Sequence, residues 1–111
     1  MKYYLSGAIS SQPDFVEYFK AHEKLLRENG LCDEIFNPGN VKDSVDLGDD
    51  PSWMDYMKYD IKQLMDCDIL VLLPNWENSE GAKVEKYLCE KVGINIIEFD
   101  KLIEALKKLN S

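Results

Sequence analysis

The chain reads as a small α/β domain with a parallel sheet, and three observations predict it. Short apolar runs suited to buried strands alternate with longer segments of helical period, in the order β-α-β-α-β-α-β-α over 111 residues. The clearest run, Ile69-Leu-Val-Leu-Leu73, is apolar at every position, as in a strand covered on both faces. Right-handed crossovers between successive strands then require a parallel sheet with helices on both sides. The expected architecture is a flavodoxin- or Rossmann-like three-layer sandwich. It is a single domain over residues 1–111, with four or five strands, four of them in the order 2-1-3-4.

Residues 2–6 form the first strand, ended by Gly7. A helix follows over 13–29, with Pro13 suited to its first turn, Gly30 to its cap, and Phe15, Phe19, His22 and Leu26 along one stripe. His22, the single histidine, reads as a flank residue with no catalytic task. A second strand covers 32–36 and is broken by Asn37-Pro-Gly-Asn40. Residues 41–51 carry Asp43, Asp46, Asp49 and Asp50 without a clear period or a calcium-loop spacing, so they read as a solvated loop. Ser52 caps the next helix, which runs to about residue 66 with Trp53, Met57, Ile61 and Leu64 on its stripe and Asp60 flanking it. After the strand at 69–73 come a helix over 79–92 ended by Gly93, a strand over 94–99 and a short amphipathic helix over 101–109.

The formal net charge of −8 argues against binding a nucleic-acid polymer, which needs basic surface to displace counterions. A mononucleotide is still allowed, because one phosphate can be held by backbone amides at a helix N-terminus. No apolar run is long enough to span a bilayer, and the N-terminal residues lack a signal peptide's apolar core. Cys32, Cys67 and Cys89 are odd in number and widely spaced, which predicts reduced thiols, no zinc site and a cytoplasmic protein. No metal or cofactor is expected.

The most informative segment is Leu73-Pro-Asn-Trp-Glu-Asn-Ser-Glu-Gly-Ala-Lys-Val-Glu85. It leaves a strand at its carboxyl end, where open α/β sheets bind ligands, and enters a helix. Helical spacing puts Gly81, Glu85, Leu88 and Val92 on one face, so a carboxylate points inward with a glycine beneath it that leaves room for a ligand. A competing reading makes Glu85 a stripe-edge residue that snorkels to water. With the order 2-1-3-4, the loops after Ser6 and Leu73 share one crevice. It gathers Tyr4, Gly7, Ser10, Ser11, Asp60, Ser79, Gly81 and Glu85. Two carboxylates with hydroxyls and amides suit chemistry at an acetal-like carbon, where one carboxylate captures an oxocarbenium-like centre and a second acid assists departure.

Tyr4-Leu-Ser-Gly7-Ala-Ile9, Asn37-Pro38, Tyr59-Asp60 ahead of Asp68, and Ser79-x-Gly81-Ala-x-x-Glu85 occur in an order and spacing that resemble the nucleoside 2-deoxyribosyltransferase superfamily, from Tyr4 to about Ile97. The turn at Leu73-Pro-Asn-Trp76 looks like an uncharacterised bacterial and phage branch. The Ser79-to-Glu85 spacing is similar to that of the 2′-deoxynucleoside 5′-monophosphate N-glycosidases. The resemblance implies that Glu85 attacks C1′, that Asp60 contacts the sugar and departing base, and that the Tyr4 hydroxyl orients the nucleophile. It further implies that Gly7, Ile9 and Ser79 surround phosphate and sugar. Those glycosidases follow the first loop's glycine with Arg or Gly. This chain has Ser10-Ser11, so a phosphate site would be weaker or would rely on these hydroxyls and on helix amides.

The expected activity is therefore cleavage of an N-glycosidic bond in a nucleoside or its 5′-monophosphate, by hydrolysis or by deoxyribosyl transfer. The alternative is a module that binds or sequesters a nucleotide-derived ligand without turnover. Trp53, Met54, Met57 and Trp76 exceed what one small core buries and predict a homodimer, or a higher homo-oligomer, near the crevice. The competing reading has the tryptophans, Trp76 among them, floor a base pocket.

Overall fold

The computed structural model describes residues 1–8, 14–40, 47–48 and 52–110. Its elements are β1 (Lys2–Ser6), α1 (Phe15–Glu28), β2 (Glu34–Phe36), α2 (Trp53–Met65), β3 (Ile69–Leu72), α3 (Glu80–Val92), β4 (Asn95–Glu98) and α4 (Phe99–Leu109). Single 3₁₀ turns lie at Pro38–Asn40 and Trp76–Asn78. Among the described residues the four strands form one all-parallel sheet in the order β2-β1-β3-β4, as the alternation and crossover rule predict.

Strand alternation divides the interior into two cores. Tyr3, Leu5, Val71 and Leu73 pack with Phe19 and Leu26 of α1 and with Phe99, Leu102 and Leu106 of α4. The intervening positions, Tyr4, Leu70 and Leu72, pack with Leu64 of α2 and Cys89 of α3 on the opposite side. The helices after β1 and β3 therefore leave the sheet on opposite faces. That divergence opens a crevice at the carboxyl ends of these two neighbouring strands.

Local chemistry sets the element ends. The Ser52 hydroxyl accepts from the Asp55 amide at 3.2 Å while the Asp55 carboxylate accepts from the Ser52 amide at 2.9 Å, a reciprocal cap that starts α2. Gly93, at φ +89°, closes α3 in the left-handed region, its N–H donating to the Cys89 carbonyl at 2.9 Å.

Two boundaries differ from expectation. The second strand begins at Glu34 rather than residue 32, because Arg27 donates to the carbonyls of Leu31 (2.9 Å) and Asp33 (2.6 Å), which takes them out of the ladder. The fourth strand passes directly into α4 at Phe99. That ring is buried against α1, edge-on to His22 with centroids 4.7 Å apart, so it turns into the core instead of continuing the strand. His22 is half-buried, and its Nδ1 lies 2.7 Å from the Tyr18 carbonyl. It remains part of the α1 packing.

The predicted stripes of α2 and α3 hold at Met57, Leu64 and Glu85 and shift at their other members. On α2 the buried residues are Met57, Asp60 and Leu64, whereas Trp53, Met54 and Met65 are exposed. On α3 they are Ala82, Glu85 and Cys89, with Val92 exposed and Gly81 and Leu88 half-buried. Both carboxylates thus belong to the centre of a buried stripe rather than its edge. The snorkelling alternative for Glu85 does not hold.

Candidate active site

Glu85 sits on the second turn of α3, 6% exposed, and faces β1. Period-two alternation puts Tyr4 and Ser6 on the same side of that strand. The Tyr4 hydroxyl donates to Glu85 Oε2, across 81 residues of sequence, and the Ser6 hydroxyl donates to Oε1 at 2.7 Å. Each carboxylate oxygen is therefore held by one hydroxyl, which fixes the carboxyl plane relative to the sheet. Tyr4 is itself held by stacking on Phe36, with ring centroids 5.1 Å apart.

Asp60 projects from α2 into the same region and is 3% exposed. Its Oδ1 is buried without a hydrogen-bond partner. Burial raises its pKa from 3.8 to about 7. Burial also raises Glu85 from 4.5 to about 7, against the lowering effect of the Tyr4 and Ser6 hydrogen bonds and with a further push from the Asp60 charge. None of the groups that shift Glu85 is a cation. Burial first, then Glu85 and Asp60, hold the Tyr4 hydroxyl well above its ordinary range, so it remains a proton donor. The crevice therefore contains two buried acids poised near neutrality, with the Asp60 charge adding to the rise at Glu85.

Ser79 caps α3, its hydroxyl oxygen accepting from the Ala82 amide at 3.1 Å while its O–H remains available to donate. Gly81 plays a different part from the one expected. A Cβ there would lie 3.2 Å from Met57 Sδ, so α2, rather than a ligand, occupies the space above the glycine. Gly7 is required by close approach: its Cβ would stand 3.1 Å from both Asn75 Oδ1 and Leu73 Cβ. Trp76 is half-buried at the rim, with the Lys86 ammonium 5.6 Å from its ring centroid. Ile9, Ser10, Ser11 and most of the acidic stretch 41–51 lie outside the described residues. Among the described residues no cluster of three His, Cys, Asp or Glu side chains is arranged to hold a metal.

Two polar residues of the crevice were not singled out as site residues from the sequence. Ser6 shares the face of Tyr4 two positions away, a signal that strand period alone contains. Asn75 accepts from the Ala8 amide at 3.2 Å and ties the β1 loop to the turn after β3. Its only sequence signal is a place in the turn beside Pro74.

A parallel α/β domain with a buried acidic pair at its topological switch point is the class that fold and site define. Within it, the chain belongs to the family described as "Domain of unknown function (DUF4406)", which matches residues 1–98. No curated protein and no solved structure matches the chain. Among the described residues no helix is long and apolar enough to cross a membrane.

Proposed function

We propose that the protein cleaves the N-glycosidic bond of a nucleoside or a (deoxy)nucleoside 5′-monophosphate, with Glu85 as nucleophile. The observation that carries this reading is the grip of Tyr4 and Ser6 on a buried Glu85, with the unpartnered oxygen of Asp60 close enough to influence its charge. In the ionised state, a Glu85 oxygen attacks C1′ as the C1′–N bond breaks, and the departing base takes the bonding pair. Asp60 in its protonated form supplies the proton that neutralises the base. Water, or a second base in a transfer reaction, then attacks C1′ and releases Glu85, with the proton of water returning to Asp60. The two hydroxyls orient the carboxyl throughout, and burial removes competing water from it.

The resemblance to the nucleoside 2-deoxyribosyltransferase superfamily supports the choice of substrate class. Incubation with a panel of nucleosides and 5′-monophosphates, followed by chromatography, tests it. Released base from at least one substrate is expected, with none from the Glu85→Gln protein. Ligand bound and recovered unchanged would instead make the protein a binding or sequestering module. The same reading makes it a cytoplasmic enzyme.

A homodimer completes the proposal. Trp53 and Met54 on α2, with Val84, Tyr87 and Val92 on α3, are exposed large apolar groups on one helical layer. Met57, by contrast, is spent inside the chain against Gly81. Such a surface suits the core of a two-fold interface. Sedimentation at micromolar concentration should give a dimer, and Trp53→Asp should give a monomer. A wild-type monomer with full activity would defeat a site shared between subunits.

A further inference from the structure

Asn75 commits both of its oxygens to neighbouring amides. Its carbonyl accepts from the Asn78 amide at 3.1 Å, and its Oδ1 accepts from the Ala8 amide at 3.2 Å. The side-chain nitrogen, Nδ2, is buried with no partner. The carboxamide cannot be reversed to relieve this, because the nitrogen would then face the Ala8 N–H, donor against donor. The sequence keeps this arrangement at some cost, since a buried donor left unpaired loses its hydration without replacement.

Place and polarity give the orphan a meaning. Oδ1 and Nδ2 share one carbon, so the nitrogen stands beside the contact that joins the loop after β1 to the turn after β3. Ala8 follows Gly7, and Gly7 follows Ser6, which holds Glu85. The only other buried side-chain polar atom without a partner among the described residues is Asp60 Oδ1, which also belongs to the crevice. When Asp60 is ionised, the two make opposite demands: its oxygen needs a donor, and the Asn75 nitrogen needs an acceptor. Both atoms are buried from solvent.

The geometry points to Asn75 as a ligand-binding residue whose Nδ2 donates to an acceptor oxygen of the bound ligand, so that Asn75 and Asp60 together fix which way round the ligand lies. This rests on the nucleotide reading above, in which the oxygen belongs either to the 5′-phosphate or to the nucleoside. Ordinary cores satisfy an asparagine at both ends. Here the acceptor end is committed to shaping the β1 loop, and only the donor end is left to read a ligand.

Titration calorimetry on the full chain tests the assignment, in a Glu85→Gln background so that the ligand survives. The probes are a deoxynucleoside and its 5′-monophosphate. Asn75→Ala and Asn75→Asp both remove the donor, and the aspartate alone keeps an acceptor for the Ala8 amide, so the β1 loop stays anchored in one of the two. Both variants should bind at least about tenfold more weakly. A loss confined to the monophosphate assigns the acceptor to the phosphate, and an equal loss on both ligands assigns it to the nucleoside. Parent affinity in Asn75→Ala overturns the proposal, whatever its melting temperature. So does a loss seen in Asn75→Asp alone, which would be charge repulsion. If the parent and the wild-type protein bind neither probe, the nucleotide reading falls and this inference falls with it.

Discussion

Tyr3 and Leu5 of β1 point toward α1 and α4, where they meet Phe19, Leu26, Phe99 and Leu106 in a wholly hydrophobic cluster. Tyr4 and Ser6, the alternate residues of the same strand, point toward α2 and α3, where they meet Glu85 with Asp60 nearby. One strand therefore lays its apolar register against one helical layer and its hydroxyls against the other. The first side gains free energy in the ordinary way, at about 1.5–3 kcal/mol for each large apolar side chain fully buried. The second side spends part of that gain by desolvating two carboxyl groups without a cation. The contrast teaches where this small domain keeps its stability and where it can hold reactive groups.

The largest expected effect is on chemistry alone. Glu85→Gln keeps the volume and one acceptor oxygen, and its amide nitrogen can donate to the hydroxyl whose acceptor it replaces, so the fold should survive, while the rate should fall on the order of 10³ or more, as for loss of a covalent nucleophile. Measured turnover near the wild-type value would place the reactive group elsewhere. Glu85→Ala is a poorer probe, since it leaves the Tyr4 and Ser6 hydroxyls buried without acceptors.

Phe19→Ala should do the reverse. Phe19 is fully buried on the α1 side, and its truncation should cost about 3–5 kcal/mol of stability. Activity per folded molecule should hardly change. If denaturant titration shows a small loss but turnover collapses, the two faces are not separable.

The acidic pair should also make stability fall with rising pH. Both carboxyl groups sit near 7 in the folded protein, above their ordinary values of 3.8 and 4.5. Between those limits the folded state holds protons that the unfolded chain has released. Their favourable contribution is complete below about pH 4, declines toward neutrality and is gone above pH 7. Melting temperature should accordingly be higher at pH 5 than at pH 8, with a shallower slope in Glu85→Gln. An equal slope in that variant would remove Glu85 as a source. Activity should move oppositely on its acid limb, because the nucleophile must be ionised.

The smallest effect should come from Ser79→Ala, at the border of the polar side. Loss of the α3 cap should lower stability by about 1 kcal/mol. If the free O–H also binds phosphate, a monophosphate should lose a further 1.5–3 kcal/mol or so of binding that a nucleoside keeps. Equal weakening of both ligands in calorimetry would reduce Ser79 to a cap.

Element order, parallel topology and most caps were legible in the residues themselves. Ile69 to Leu73 could be little else than a buried strand, Ser52 and Ser79 announced their helices, and Gly93 ended one. These are local signals, read over a few neighbouring positions. The α2 and α3 stripes were right at Met57, Leu64 and Glu85 and one position off at their other members, because several apolar residues of those helices turn outward and periodicity weighs every apolar residue alike. Trp53 and Val92 drew the predicted faces toward themselves, although both are exposed.

By itself, the sequence determined that a carboxylate at 85 and another at 60 would stand on helices flanking a parallel sheet, near strand ends where ligands bind. Only the tertiary structure decided that Ser6 joins Tyr4 on Glu85, that Met57 rather than a ligand fills the space over Gly81, and that Asn75 spends its oxygen on Ala8 and keeps its nitrogen unpaired. The reason is physical. Helical and strand periods are properties of short segments, whereas a contact between Tyr4 and Glu85 depends on the pairing register of β1 with β3 and on the rotation of α3 against both. Those variables are set by how side chains distant in sequence fill shared space, and no window along the chain contains them.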